Sequence, residues 1–340
     1  MNNKILASII IALCLISIVI GISSTVISSK KVEQEQAKGS KKFKNIFNSG
    51  NKIALITLEG TIDSGATEGL IGSIDSAESA LKALKRAFED NTVKGVLFRI
   101  NSPGGTVAIS QEIYNTVLRL RKKKPVVISM SDVTASGGYY ISCAADRIYA
   151  DPGTLTGSIG VVMNIPNVQK LFNQKLGIDM NTIKSGKFKD IASPYRPLSI
   201  EERKMLQNMI TTVYNQFVNA IIEGRVKRND KYTIEKTNLT VKTLKQYADG
   251  RIFSGEQAQK LGFVDQLGGM YEAQKGVNKM AQTRFNLLSS DLPLVSYNRP
   301  SGLSEFIFGL SESIMPKKDP LSSVMPFNTK YFHQPLFLWE

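Results

Sequence analysis

Residues 126–162 read VVISMSDVTASGGYYISCAADRIYADPGTLTGSIGVV. Within this stretch, the short apolar run Val126–Met130 predicts a buried strand. A turn of small residues follows at Thr134–Gly138, and Tyr139–Ala145 then has few helix breakers and fits a helix. A serine at such a junction, Ser136, can direct its hydroxyl group into a cleft, where first-turn amides without helical partners are free to donate.

The junction also has a purely structural interpretation, in which Ser136 does no more than cap the helix. A second glycine turn at 101–105 (NSPGG) favours chemistry instead. It follows the apolar strand Val96–Ile100 and precedes an amphipathic helix. Two strand-to-helix turns of this kind can bring backbone amides together as an oxyanion hole, which stabilises the tetrahedral intermediate of acyl transfer.

The histidine content limits which base could activate a serine. The chain has one histidine, His333, close to its C-terminus, so a Ser–His–Asp triad would need its base from the tail, whereas a Ser–Lys pair would not. The segment 184–190 (KSGKFKD) offers three lysines. A lysine acts as a base at neutral pH only if burial lowers its pKa from ~10.4 to about 7–8. Since charge runs are usually solvated loops, the residues alone select no lysine.

Five segments in register resemble the signal peptide peptidase A family of membrane-bound serine proteases, family S49. They are RINSPGG, ASGGYYISCAAD, DPGTLTGSIGVV, IKSGKFKDIASPYRPLS and ADGRIFSGEQAQKLGFVDQLGG. The resemblance covers about residues 52–282. It implies an α/β fold of the Clp protease and crotonase type, built from repeated strand-strand-helix units and preceded by one N-terminal transmembrane helix.

The resemblance also implies a role for each site residue. Ser136 matches the family's nucleophile, and Lys189 matches its general base and proton donor. The amides of Gly104 and Gly137 match the oxyanion hole, and Ser158 matches a serine that orients the lysine. The family pattern therefore selects the last of the three lysines in KSGKFKD.

The activity implied by the resemblance is a membrane-anchored serine endopeptidase with a Ser–Lys dyad and no metal or cofactor. Family substrates are remnant signal peptides, and other membrane-associated peptides are further candidates. We expect small apolar side chains near the cut, in a shallow pocket. Single-repeat members form ring-shaped homo-oligomers, in which neighbouring protomers can supply the serine and the lysine, so that assembly buries the lysine.

Residues 5–28 form an uncharged apolar run. As a helix this run would extend roughly 35 Å at ~1.5 Å per residue, enough to cross a bilayer. No A-x-A-like cleavage site ends it, which favours an uncleaved anchor over a signal peptide. We therefore expect a transmembrane anchor at 1–28 and a polar, lysine-rich tether at 29–51.

The formal net charge of +14 is compatible with binding to nucleic acid or to an anionic membrane surface. The sequence has no nucleic-acid motif with interleaved aromatic residues, so we favour a solvated lysine-rich surface. By the positive-inside rule, the lysines after the apolar run would keep the domain in the cytoplasm. The resemblance implies the opposite, a single-pass protein of the cell membrane with an extracytoplasmic catalytic domain.

The remaining chain alternates predicted strands and helices, which argues for α/β packing with largely parallel strands in a protease domain at 52–282. The extension 283–340 departs from this pattern and includes a possible helix at Leu303–Ile314. We expect apolar residues near its end to dock on another surface or on a neighbouring subunit. These residues are Phe332, Phe337, Leu338 and Trp339.

Two other classes of function stay open on the sequence. A crotonase-like acyl-CoA enzyme would share paired amides as an oxyanion hole, but it would not need Ser136 and Lys189 together. A non-catalytic membrane scaffold would keep the fold and lack an activated serine. Labelling with a serine-directed reactive probe would separate both classes from a protease.

Overall fold

The computed structural model describes residues 50–64, 75–227, 237–288, 291–298 and 335–338. The predicted anchor, nearly all of the predicted tether, the possible helix at Leu303–Ile314, Phe332 and Trp339 lie outside these ranges. Within them, no helix combines the length and the apolar character that a bilayer crossing requires. The described residues from Lys52 onward form one compact unit by themselves.

The helices and strands alternate along much of the chain. The first part contains β1 (Lys52–Glu59), α1 (Ala77–Glu89), β2 (Val93–Ser102), β3 (Gly104–Thr106), α2 (Val107–Lys123), β4 (Val126–Ala135), α3 (Gly137–Ser142), β5 (Arg147–Ala150) and β6 (Leu155–Gly157). The second part contains a π-helical turn at Leu171–Leu176, α4 (Ile200–Ile221) with a π-helical end at Ile222–Val226, α5 (Val241–Tyr247), β7 (Ile252–Ser254), α6 (Gly255–Leu261), β8 (Gln266–Leu267), α7 (Met270–Phe285), β9 (Leu294–Ser296) and β10 (Leu336–Leu338).

The main sheet has the strand order β7-β6-β4-β2-β1-β9, and β5 and β8 extend from β4. Every neighbouring pair in it is parallel except β6 with β7. Parallel neighbours need crossover connections, which the intervening helices provide. The predicted α/β class with largely parallel strands is therefore confirmed.

The central strand β2 is buried on both faces of the sheet. Val96 and Phe98 point to one side, where they join the larger hydrophobic cluster with α1 and α2. Leu97 points to the other side and packs in a second cluster with Val277 of α7. A strand covered by helices on both faces has a continuous apolar sequence, which is why Val96–Phe98 shows no alternation.

Helix ends follow the local sequence. Ser199 and Glu202 form a capping box at the start of α4. Ser254 caps α6, and Gly262 follows that helix in the left-handed conformation. The apolar stripe of α4 enters the core only at its C-terminal end, since Phe217 is fully buried whereas Met209 is 39% exposed.

The carboxyl ends of β2, β4 and β6 meet at one edge of the sheet. Ser102 of β2 pairs with Thr134 of β4, and Ala135 of β4 pairs with Gly157 of β6. Because all three strands run in parallel, the residues that follow them gather at this edge. Both glycine turns singled out from the sequence therefore lie together.

Candidate active site

Ser136 occupies a strained junction between β4 and α3. Its backbone angles are φ 49° and ψ −111°, which a residue other than glycine seldom adopts. The Ser136 amide donates to the carbonyl oxygen of Gly157 at 2.8 Å, and the Ser136 carbonyl oxygen accepts from the Tyr140 amide at 2.8 Å. Hydrogen bonds to β6 and to α3 thus fix the unusual backbone conformation of Ser136.

The Ser136 hydroxyl group makes no capping hydrogen bond to α3, so the capping role considered for it is wrong. The side chain is buried, with 1% of its surface exposed. Its Oγ makes no hydrogen bond with any residue that the structure describes. Buried hydroxyl groups normally have a partner, so this oxygen differs from a structural serine.

The two glycines predicted for the oxyanion hole are neighbours. Gly104 has a φ of +107°, and a Cβ atom placed there would lie 2.8 Å from the amide nitrogen of Gly137. The same atom would lie only 1.9 Å from the carbonyl oxygen of Phe337. A Cβ atom at Gly137 would lie 3.1 Å from that oxygen. Only glycine fits at position 104, and a peptide carbonyl group reaches both residues.

The backbone of β3 directs one amide into the cleft. The Gly104 amide donates to Ser102 Oγ at 3.1 Å, and the Gly104 carbonyl oxygen accepts from Ile62. The Thr106 amide donates to Ile62 as well. Since hydrogen-bonding groups alternate along a strand, the N–H and C=O groups of Gly105 face the opposite side. The predicted role of the Gly104 amide requires release of its hydrogen bond to Ser102 Oγ. The Gly105 amide faces away from Ile62, toward Phe337 of β10.

Ser158 follows β6 at the same sheet edge as Ser136. The pairing of Ala135 with Gly157 sets the two serines at equivalent positions past adjacent strands. Ser158 is buried, has a φ of 49° and donates its amide to Arg251 at 2.8 Å. The structure thus brings Ser136, Ser158 and both glycine turns together.

Lys189 is the predicted site residue that does not join this group. It lies on an exposed turn, where its amide donates to the carbonyl oxygen of Gly186 at 3.1 Å. Because Ser136 Oγ has no partner within the described ranges, the single chain contains no hydrogen bond between the two residues.

The three lysines of this turn differ in their partners. The Lys184 ammonium group pairs with Asp190 at 2.6 Å, and Lys187 pairs with Glu201. The Lys189 ammonium group forms no ion pair with any residue in the described ranges. A carboxylate partner stabilises the protonated ammonium group, so an ion-paired lysine is a poor base. Sequence inspection missed this distinction, because it depends on contacts.

An arginine holds the lysine turn against the start of α4. Arg196 pairs with Asp190 at 2.8 Å and with Glu202 at 2.5 Å. Hydrogen bonds from Arg196 and then from Lys184 hold the pKa of Asp190 well below its ordinary value. Glu202 also accepts from the amide of Ser199, so the capping box belongs to the same network. The turn that carries Lys189 is therefore a defined structure.

The thiol of Cys143 is a second potential nucleophile in the region of Ser136. Cys143 ends α3 and is fully buried, and burial raises the pKa of its thiol to about 12. A thiol with so high a pKa is a poor nucleophile at neutral pH. In the described part of the chain, no group of three or more His, Cys, Asp or Glu side chains could hold a metal ion.

Comparisons with known proteins identify a peptidase family. The sequence model of peptidase family S49 matches residues 119–284. A protein of Synechocystis called putative protease slr0021 is 41% identical over 230 residues, which cover 68% of this chain and 74% of the relative. An Enterococcus faecium protein called putative signal peptide peptidase SppA is 37% identical, over 68% of this chain and 64% of the relative. Protease 4 of Haemophilus influenzae is 33% identical, over 69% of this chain and 35% of the relative. This chain spans less than two thirds of the length of the Enterococcus and Haemophilus relatives.

Proposed function

Because this chain belongs to peptidase family S49, we propose that it is a serine endopeptidase in which Ser136 is the nucleophile and Lys189 is the general base. The observation that carries the proposal is the state of Ser136 Oγ. It is buried, on a strained junction, and without a hydrogen-bond partner in the described ranges. Such strain is often found at active sites, where it holds a side chain ready for reaction.

The reaction follows from these roles. Neutral Lys189 accepts the proton of Ser136 while Oγ attacks the peptide carbonyl carbon. The Gly137 amide and an amide of the 101–105 turn stabilise the oxyanion. Protonated Lys189 then gives its proton to the leaving amine as the C–N bond breaks. Water, deprotonated by the same lysine, hydrolyses the ester, and no metal or cofactor takes part.

The choice of Lys189 rests on its lack of a carboxylate partner. Lys184 and Lys187 are each held in an ion pair with a carboxylate. Lys189 reaches Ser136 in our proposal when copies of the chain form a ring with the Clp protease and crotonase architecture. Ser158 orients the incoming ammonium group. Contact with a neighbouring subunit removes water from the lysine and favours its neutral form.

The apolar run 5–28 supports a membrane anchor, and we propose an extracytoplasmic catalytic domain on a single-pass protein of the cell membrane. The resemblance to signal peptide peptidase A, which is also the name of one relative, supports remnant signal peptides as substrates. Their apolar segments stay close to the membrane that would hold this enzyme.

Site variants of the full-length chain in detergent test the dyad. Ser136→Ala and Lys189→Ala should each lower peptide cleavage by at least about 10³-fold. Lys184→Ala, the matched control on the same turn, should stay active. If neighbouring subunits share the dyad, mixing the two inactive variants should restore part of the activity. An active Lys189→Ala variant would refute the assignment of the base.

A serine-directed phosphonate probe separates the other classes of function. A protease should be labelled at Ser136 and should lose the label in Ser136→Ala. A crotonase-like acyl-CoA enzyme or a membrane scaffold would remain unlabelled while folded. That result, together with no cleavage across a broad peptide library, would refute the proposed function.

A further inference from the structure

The turn that carries Lys189 lies in a segment, residues 184–202, whose other charges cancel. Besides Lys189, the segment has three basic and three acidic side chains. All six are ion-paired with one another, and they are Lys184, Lys187, Asp190, Arg196, Glu201 and Glu202. Lys189, which forms no ion pair in the described ranges, therefore carries the net positive charge of the segment.

The guanidinium group of Arg196 contacts two carboxylates at once. Its Nε and Nη2 donate to the two carboxylate oxygens of Asp190 at 2.8 and 2.9 Å, and Nη2 also donates to the Asp190 carbonyl oxygen at 3.0 Å. Its Nη1 and Nη2 donate to the two carboxylate oxygens of Glu202 at 2.8 and 2.5 Å. Only the planar fork of an arginine side chain makes two such bidentate contacts together.

The two carboxylates differ in what else holds them. The Glu202 side chain is 3% exposed, and its Oε2 accepts from the Ser199 amide at 2.8 Å. Negative charge is also favourable at the start of a helix, so Glu202 keeps its place on α4 without the arginine. The Asp190 carboxylate, in contrast, is held by the side chains of Arg196 and Lys184. Loss of Arg196 would therefore release Asp190 more than Glu202.

Asp190 directly follows Lys189 in the chain and carries a permanent negative charge. Hydrogen bonds from Arg196 and then from Lys184 hold the pKa of Asp190 well below its ordinary value, so it is ionised throughout the neutral range. A carboxylate that turns toward an ammonium group stabilises the protonated form of that group. Lys184 is a weak holder of Asp190, because it is one third exposed and contacts a single carboxylate oxygen.

We propose that Arg196 is a positioning residue for the general base, because it holds the Asp190 carboxylate away from Lys189 and thereby allows the lysine to be neutral when it reaches Ser136. The proposal rests on the proposed protease function. Arg196 contacts neither the substrate nor the reacting atoms, and it acts through Asp190. Its contact with the start of α4 also fixes the turn from which the lysine extends.

The charges near the cleft leave Asp190 as the carboxylate that has to be controlled. Ser136 and Ser158, the side chains that meet the lysine in the proposed reaction, are uncharged. Arg251, whose carbonyl oxygen accepts from the Ser158 amide, pairs its own side chain with Asp249 at 2.5 Å. Asp190 accompanies the lysine into the cleft, since the two residues are adjacent in the chain.

A suppressor experiment with the full-length chain in detergent tests this role. Arg196→Met should lower kcat/KM several-fold at pH 7 and move the acid limb of its pH profile to higher pH by about one unit, because Asp190 then pairs with Lys189. Arg196→Met/Asp190→Asn also removes the carboxylate, so it should recover most of the lost activity and return the acid limb to its wild-type position. Lys187→Ala breaks the exposed pair with Glu201 on the same turn, and as the matched control it should move neither quantity.

A purely structural role for Arg196 gives the opposite results. The acid limb would stay in place, and the double variant would be no more active than Arg196→Met; either result in folded protein would overturn the proposal. Arg196→Gln covers the case in which Arg196→Met does not fold, since it keeps hydrogen-bond donors and removes the charge. It should move the acid limb in the same direction, and an unmoved limb would count equally against the proposal.

Failure of the proposed function would look different. It would appear in the wild type, as a folded protein that neither cleaves peptides nor reacts with the phosphonate probe, or as an active Lys189→Ala variant, and it would overturn both proposals. An unmoved acid limb in the Arg196 variants, with wild-type cleavage intact, would overturn only the role of Arg196.

Discussion

The buried ion pair between Arg225 and Asp265 gives the sharpest prediction about stability. Arg225 has no exposed surface, while Asp265 retains 15%. Their bidentate contacts measure 2.6 and 3.0 Å. Burial opposes the charge on Arg225 and by itself would lower the pKa of the arginine. The charge and hydrogen bonds of Asp265 outweigh this effect of burial and hold the arginine pKa above its ordinary value. The pair follows α4 directly, next to α3, which begins directly after Ser136.

Asp265→Asn should lower the free energy of unfolding by about 3–5 kcal/mol. The asparagine oxygen can still accept from the Ile148 amide, which now donates to Asp265 at 2.7 Å. The loss therefore comes from the arginine charge, which stays buried without compensation. At about 2–4 °C per kcal/mol for a domain of this size, the melting temperature should fall by roughly 10 °C.

Thermal unfolding of the full-length chain in detergent, followed by circular dichroism, measures this change. Lys227→Ala breaks an exposed ion pair with Glu223 nearby and should have little effect. The double variant Arg225→Met/Asp265→Asn removes the stranded charge and should be more stable than Asp265→Asn alone. If Asp265→Asn unfolds no earlier than Lys227→Ala, or if adding Arg225→Met destabilises it further, the electrostatic argument is wrong.

Three further predictions concern a turn, a cap and a titration. Gly104→Ala should abolish cleavage, since its Cβ atom would lie 2.8 Å from the Gly137 amide nitrogen and 1.9 Å from the Phe337 carbonyl oxygen, where no side chain fits. Probe labelling and substrate kinetics measure this, and full activity would contradict the site geometry. Ser199→Ala should lower stability by about 1 kcal/mol through loss of the capping box, measured by thermal unfolding with Ser199→Asp as the control that keeps a cap. Burial lowers the pKa of Lys124 to about 8. As the pH rises, Lys124 therefore loses its proton in the folded state before it does so in the unfolded state. The contribution of Lys124 to the free energy of unfolding should consequently rise between pH 8 and ~10.4. Melting temperatures across that range should rise less steeply in Lys124→Met, and equal slopes would contradict the assignment.

Local sequence determined the strand-to-helix junction at Ser136. An apolar run followed by small residues placed Ser136 between a strand and a helix, and the structure has β4 and α3 at those positions. The capping box at Ser199 was equally local. In contrast, the ion pairs that distinguish Lys184 and Lys187 from Lys189 depend on acidic residues that fold back onto the turn. A sequence pattern carries no signal for such contacts, and only the family resemblance selected the last lysine.

The position of the C-terminal strand was beyond sequence reasoning for a different reason. Phe337 pairs with a strand more than two hundred residues earlier in the chain. The apolar composition of the tail predicted docking, but composition does not say against which surface. A short strand of three residues has no periodicity that would set its register. The register of β10 is set by backbone pairing with Gly105 and Val162.

The state of the cleft bears on how the proposed lysine could become a base. An exposed ammonium group is charged at neutral pH, and it becomes neutral only when water is removed from it. The cleft offers apolar surroundings, because the aromatic rings of Tyr140 and Phe217 line it next to Ser136. Phe337 packs against both rings in the single chain. In the proposed mechanism, a lysine that enters these apolar surroundings loses its water and becomes neutral.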